Sequence, residues 1–148
     1  MSLNCIVACS NNYGIGFQNK LPWNIKEDLE HFKELTLNNV IVMGRKTYDS
    51  LPDKHRPLKN RISIVITNDA SLTAKNTNTL KFVDITDVKD IINRFIKDNK
   101  LVFVIGGEQI YKYFNGSYSK MYITYIDKKY ECDSFFIPPT FKYSLTSH

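Results

Sequence analysis

The sequence predicts an α/β fold: one domain built on a central, mostly parallel, twisted β-sheet flanked by helices. Three observations predict it. Short apolar runs rich in β-formers recur along the 148 residues. Segments with helical periodicity separate several of them. The runs are nearly continuous in apolar residues rather than alternating, as strands buried on both faces must be. A chain of this length fits one domain and can bury a core without a structural metal or disulfides.

The predicted strands cover residues 3–9, 40–43, 62–67, 80–83, 101–105 and 121–126. Asn24 is a suitable N-cap, with Glu27 three residues on. From there Ile25, Leu29, Phe32 and Leu35 mark one face of a first helix. Val88, Ile91, Ile92, Phe95 and Ile96 mark a second, and Ile110, Tyr111 and Phe114 a shorter third. Residues 68–79 are polar and read as a loop. There are no internal repeats. Ligands of parallel sheets gather at the carboxyl ends of strands, so the residues that follow each run are the place to look for a site.

Hydrophobic residues make up 43% of the chain and charged residues 24%, an ordinary globular balance. Lys and Arg number 20 against 15 Asp and Glu, a formal charge of +5. That excess favours anionic partners, but the basic residues are scattered and form no nucleic-acid-type block. The three cysteines, Cys5, Cys9 and Cys132, show no paired spacing. On one strand Cys5 and Cys9 stand roughly 13 Å apart, too far to bridge. The reading is a chain in a reducing, cytoplasmic compartment without zinc. No run approaches membrane-spanning length, and the first residues lack a basic segment leading into a long apolar one.

At 100° per residue, Asp28 falls between Phe32 and Leu35 on the helical wheel. It points with the apolar stripe and away from Lys26, Glu30, Lys33 and Glu34. A carboxylate there needs a partner, and its neighbours one turn away, Ile25 and Phe32, supply none. A ligand with two adjacent donors would satisfy both oxygens. Answering the helix dipole is an equally good reading of the residue on its own.

Three segments are candidate phosphate or lid elements. Ile105 ends a strand and Gly106-Gly107 leads into the third helix, a geometry that lets backbone approach a pyrophosphate. It lacks the full Gly-x-Gly-x-x-Gly fingerprint, and in isolation a tight turn that needs glycine is the better reading. Gly44-Arg45-Lys46-Thr47 follows another strand with a short helical stretch. Two cations and a hydroxyl suit a phosphate monoester such as the one that separates NADPH from NADH, and Arg45-Lys46 read alone is equally a solvated pair. Between the first strand and the first helix, Gly14 and Gly16 suggest a mobile loop that closes over ligand, with Leu21, Pro22 and Trp23 as apolar anchors.

Taken in order, these segments resemble the dihydrofolate reductases. The match runs from Leu3 to about Phe136. It is carried by Ile6-Val7-Ala8, Gly14-Ile15-Gly16, Leu21-Pro22-Trp23-Asn24, Asp28 with Phe32-Lys33, and Val42-Met43-Gly44-Arg45-Lys46-Thr47. Further on come Arg56-Pro57-Leu58 with Arg61, Val104-Ile105-Gly106-Gly107, Ile110-Tyr111 and Tyr122-Ile123-Thr124.

The resemblance implies a dihydrofolate-reductase-like fold and NADPH-dependent reduction of 7,8-dihydrofolate to tetrahydrofolate, for one-carbon metabolism and thymidylate synthesis. It implies that antifolate inhibitors bind. Asp28 matches the catalytic carboxylate at the pterin's amino and lactam edge, supported by Thr124. Ile6, Val7, Leu29, Phe32, Leu51, Leu58, Ile105 and Tyr111 line the substrate pocket, and Arg61 pairs with the substrate's glutamate carboxylate. Ala8, Ile15, Gly16, Asn19, Lys20 and Leu21 meet the nicotinamide side of the cofactor. Gly44, Arg45, Lys46, Thr47, Thr67 and Asn68 serve its adenosine phosphate side. Gly106 and Gly107, joined in the family by a cis peptide, face the cofactor with Gln109 and Ile110.

Two departures stand out. Glu108 follows the glycines where the family often has a small residue, and a carboxylate there repels a pyrophosphate unless it turns to solvent. After Pro138-Pro139 the family usually has two more antiparallel strands, whereas here residues 141–146 supply one. A missing strand leaves a sheet edge exposed. The chain then reads as a shortened reductase or as the first part of a reductase–thymidylate synthase fusion. Two other readings stay open: a riboflavin-pathway-type NADPH reductase, which gives Asp28 and Arg61 no joint role, and a fragment that binds nucleotide or a partner chain without turnover.

Overall fold

The computed structural model describes residues 3–10, 14–16, 26–51, 56–126, 132 and 134–136, the side chains of 10, 16, 26–29, 126 and 134 excepted. Six strands form one sheet: β1 (Leu3–Ser10), β3 (Val40–Gly44), β4 (Ile62–Ile66), β5 (Leu80–Val83), β6 (Val102–Gly106) and β7 (Lys120–Ile126). Their order is β5-β4-β3-β6-β1-β7, and every neighbouring pair is parallel. The helices are α1 (Lys26–Thr36), α2 (Arg45–Ser50), α3 (Val88–Lys97) and α4 (Glu108–Tyr113). The apolar runs are strands because helices cover both faces of the sheet.

Alternate residues feed two hydrophobic layers. On one face Cys5, Val7, Val40, Val42, Ile64, Val102 and Val104 meet Val88 and Ile92 of α3 and Ile110 and Tyr111 of α4. On the other, Ile6, Ile41, Met43, Val65 and Phe103 meet Phe32 and Leu35 of α1. The stripe read for α3 is the buried one. Asn38 and Asn99, just past the ends of α1 and α3, take left-handed conformations with φ of 62° and 63°. Asparagine tolerates that geometry and ends a helix there.

Two parts of the sequence expectation change. Gly14–Gly16 is not simply loop: it forms a short strand, β2, antiparallel to β8 (Ser134–Phe135), with Gly14 opposite Phe135 and Gly16 opposite Ser134. Segments of three and two residues carry no periodicity to read. Residues 68–79, read as loop, contain a 3₁₀ turn at Ala70–Lys75. Asp69 caps that turn, and Asn76 at its end accepts the Phe82 N–H at 2.7 Å, holding the edge strand β5. Asn19, Lys20, Leu21, Trp23, Asn24 and residues 141–146 lie outside the described residues.

The topology places the site. The chain runs outward from β3 to β5, returns through α3 to insert β6 between β3 and β1, and continues to β7. The carboxyl ends of β1, β3, β4, β5 and β6 therefore open on one side. Register slips there by one residue, with Val42 opposite Val104 but Met43 opposite Gly106. The extra residue, Ile105, is a bulge of the kind that re-aims side chains beside a site.

Candidate active site

A cleft of about 1500 Å³ opens at those carboxyl ends. Of the residues singled out from sequence, it brings together Ile6, Val7, Ala8, Ile15, Phe32, Gly44, Arg45, Lys46, Thr47, Leu51, Leu58, Arg61, Thr67, Asn68, Ile105, Gly106, Gly107, Gln109, Ile110 and Tyr111. Thr124 does not line it. It stands on β7 in register with Ala8, which does. Gly16 is in β2, and Asp28 and Leu29 are in α1; for these three only the backbone is described. Asp28 precedes the cleft residue Phe32 by four positions, one helical turn.

Residues missed from sequence also line the cleft: Ser50, Lys59, Ile66, Asp69, Asp84 and Ile85, together with Lys33 and Glu108, which the sequence singled out without a place in the site. Asp69 and Asp84 follow the ends of β4 and β5 within a few residues. The strand-end rule that found Gly44 and Gly106 would have found them too. Each aspartate accepts from the backbone and hydroxyl of the residue two further on, Ser71 or Thr86, at 2.6–3.1 Å. These hydrogen bonds hold both carboxyls below their ordinary range. The Ser71 hydroxyl contributes most at Asp69 and the Thr86 backbone most at Asp84. Against these two and Glu108 the cleft sets five cations, Lys33, Arg45, Lys46, Lys59 and Arg61, so its lining favours an anion.

Arg61 is fixed before any ligand arrives. Its Nε donates to Thr36 Oγ1 at 2.7 Å, Nη1 to the Lys59 carbonyl at 2.6 Å and Nη2 to the Lys33 carbonyl at 2.9 Å. Thr36, fully buried, donates in turn to the Phe32 carbonyl at 2.8 Å. A guanidinium has five N–H groups, so one remains on each terminal nitrogen, two donors open to an anion such as a carboxylate. Among the described residues no carboxylate takes them. Partial burial lowers the pKa of Arg61, which nevertheless stays charged.

The opposite wall is glycine. A Cβ on Gly44 would stand 3.2 Å from Ile110 Cγ1, and one on Gly106, at φ +125°, would stand 3.3 Å from the Tyr111 ring. The Gly106–Gly107 peptide is cis. Tyr111 is held by its hydroxyl, which donates to the Ile6 carbonyl at 2.8 Å. Arg45, which lines the cleft, lays its Nε against both oxygens of Asp49, at 3.0 and 3.2 Å. Glu108 does not simply turn to solvent. Its Oε1 accepts the Phe135 N–H at 2.7 Å, and Oε2 lies 3.8 Å from Lys112 Nζ.

A family model described as dihydrofolate reductase matches residues 2–147. The chain belongs to the dihydrofolate reductase family. Family membership makes it an oxidoreductase. Among its relatives, a dihydrofolate reductase of Heliothis virescens is 34% identical over 92% of this chain and 79% of its own length. One of Staphylococcus aureus is also 34% identical, over 96% of this chain and 82% of its own. A bifunctional dihydrofolate reductase-thymidylate synthase of Arabidopsis thaliana is 37% identical over 88% of this chain, which spans 25% of that protein. Among the described residues no helix is long and apolar enough to cross a membrane, and no group of side chains could hold a metal ion.

Proposed function

We propose that this protein reduces 7,8-dihydrofolate to tetrahydrofolate with NADPH. What carries the reading is one cleft lined by two unlike sets of residues. Phe32, Leu51, Leu58 and Arg61 offer an apolar slot that finishes in a two-donor guanidinium. Gly44, Arg45, Lys46, Thr47, Gly106 and Gly107 offer a close backbone wall with cations and a hydroxyl. The first suits a flat aromatic ring ending in a carboxylate, the second a phosphate-bearing dinucleotide.

Side chains at Gly44 and Gly106 would crowd Ile110 and Tyr111 at 3.2–3.3 Å; with glycine there the wall is bare backbone, and the close approach it offers a pyrophosphate supports NADPH. Thr67 and Asn68 complete the adenosine phosphate end. When bound, the cofactor supplies a hydride. The chain supplies the rest: Ile6, Val7, Ala8, Ile15 and Ile105 hold two rings together and exclude water, which is where proximity lowers a barrier. Asp28 accepts the donor edge of the pterin and either delivers the proton or polarises the ring so that water does, with Thr124 in support. Arg61 sets how far the substrate enters. Gly16, Asn19, Lys20, Leu21 and Leu29 belong to the same proposal through the resemblance. We place the reaction in the cytoplasm, where the free thiols Cys5, Cys9 and Cys132 stay reduced.

The test is oxidation of NADPH on addition of dihydrofolate, followed by the loss of nicotinamide absorbance. Turnover blocked by a folate-analogue inhibitor is the expected result. Folded protein that binds NADPH and gives no turnover refutes the reading and favours a binding fragment.

A further inference from the structure

We propose that Glu108 is a positioning residue: its carboxylate ties the β2–β8 ribbon to α4 and thereby sets the cleft wall that Ile15 forms. Glu108 is the first residue of α4 and directly follows the glycine pair. Its Oε1 accepts the backbone N–H of Phe135 at 2.7 Å. Phe135 stands opposite Gly14 in the ribbon, and the next residue of β2, Ile15, lines the cleft. One carboxylate therefore links the helix that follows Gly106-Gly107 to the strand pair that carries Ile15.

Phe135 is 41% exposed, so side-chain burial holds it less than it holds a core residue and the bond to its backbone N–H counts for more. The neighbouring Phe136 gives a second anchor on the same helix. It is buried, and its ring meets Tyr111 edge-on at 5.4 Å. Tyr111 is itself bonded to the Ile6 carbonyl. Phe136 keeps the ribbon attached when Glu108 is altered, while Glu108 fixes where along α4 the ribbon sits. The tie also settles the charge problem at this position. The carboxylate is turned to a backbone donor, with Lys112 Nζ 3.8 Å from its second oxygen.

The bond and its role in turnover are read separately, because the second rests on the reductase reading above and the first does not. Amide hydrogen exchange of Phe135 tests the bond. In the unaltered protein this amide is protected; exchange at the rate of an open peptide overturns the proposal with no variant needed. Glu108→Ala should speed exchange about tenfold or more, since a charge-assisted hydrogen bond is lost. Glu108→Gln, whose amide oxygen can still accept, should restore protection to within a few-fold. Unchanged exchange in Glu108→Ala overturns the bond.

Steady-state kinetics test the role. Glu108→Ala should lower kcat about fivefold or more, because small displacements of a positioning wall slow ring-to-ring transfer steeply. The KM for dihydrofolate should stay within about twofold, since the Arg61 end is untouched, and Glu108→Gln should recover most of kcat. Faster exchange with unchanged kcat overturns the positioning role. If the unaltered protein does not turn over, it is the reductase reading that fails, and the exchange measurement still decides the bond.

Discussion

Replacing Arg61 with lysine separates the two jobs of its guanidinium. Three of its N–H groups are committed to Thr36, Lys59 and Lys33, and two are left for a ligand. A lysine ammonium has three donors and cannot serve three protein acceptors and two carboxylate oxygens together. A two-bond pairing with a carboxylate at a partly exposed site contributes about 2 kcal/mol, the low end for charged hydrogen bonds. At 1.4 kcal/mol per decade this is about thirtyfold in dihydrofolate KM, with kcat and the NADPH KM little changed. The assay is a double cycle that pairs Arg61→Lys with dihydropteroate, a substrate lacking the glutamate. In the unaltered protein, trimming the substrate costs about the same thirtyfold; in Arg61→Lys it costs almost nothing. If the substitution weakens both substrates equally, Arg61 acts only by holding α1, and the proposed pairing is wrong. Thermal unfolding reads that structural share, expected at about 1 kcal/mol because solvent reaches the freed carbonyls.

Asp28→Asn should remove most dihydrofolate turnover while NADPH affinity, read by fluorescence titration, holds; full activity refutes the assigned role. Gly106→Ala should destabilise more than Gly44→Ala in thermal melts. Both push a Cβ into a packed ring or isoleucine, but only Gly106 also has a positive φ, which adds about 1–3 kcal/mol of strain. Phe103→Ala, at a ring 1% exposed beneath the sheet, should cost about 3–5 kcal/mol by urea unfolding. Burial pushes the Cys9 thiol up to about 11, and Cys5 higher still. At pH 8 roughly a thousandth of Cys9 is thiolate, so both should resist a thiol reagent until the protein unfolds. The sign of the linked stability follows. Above the ordinary thiol range the unfolded chain releases protons that the folded chain keeps, so stability falls as pH rises past about 9. A melt that is flat between pH 7 and 10 contradicts this.

The sheet was legible because a strand covered on both faces has to be apolar along its whole length, which singles out residues 40–43 and 62–67 with no knowledge of their neighbours. The periodicity of α3 was legible for the same reason, since one face meets the core. The ribbon of β2 and β8 was not, because two- and three-residue strands carry no pattern and pair across more than a hundred positions. Asp69 and Asp84 were passed over although they follow strand ends, because a lone aspartate in a polar stretch looks like any solvated turn.

By itself the sequence determined the six strands of the main sheet and the helical faces of α3 and α4, that the cleft lies where strands end, and the ordered set of segments that marks the family. Local periodicity and strand-end chemistry are properties of neighbours along the chain. Only the tertiary structure decided that β6 inserts between β3 and β1, that Thr36 and the carbonyls of residues 33 and 59 leave Arg61 with two donors, and that Glu108 spends its charge on Phe135. Each depends on groups far apart in sequence meeting at hydrogen-bond distance, and no local pattern encodes which of many acceptors a donor will find.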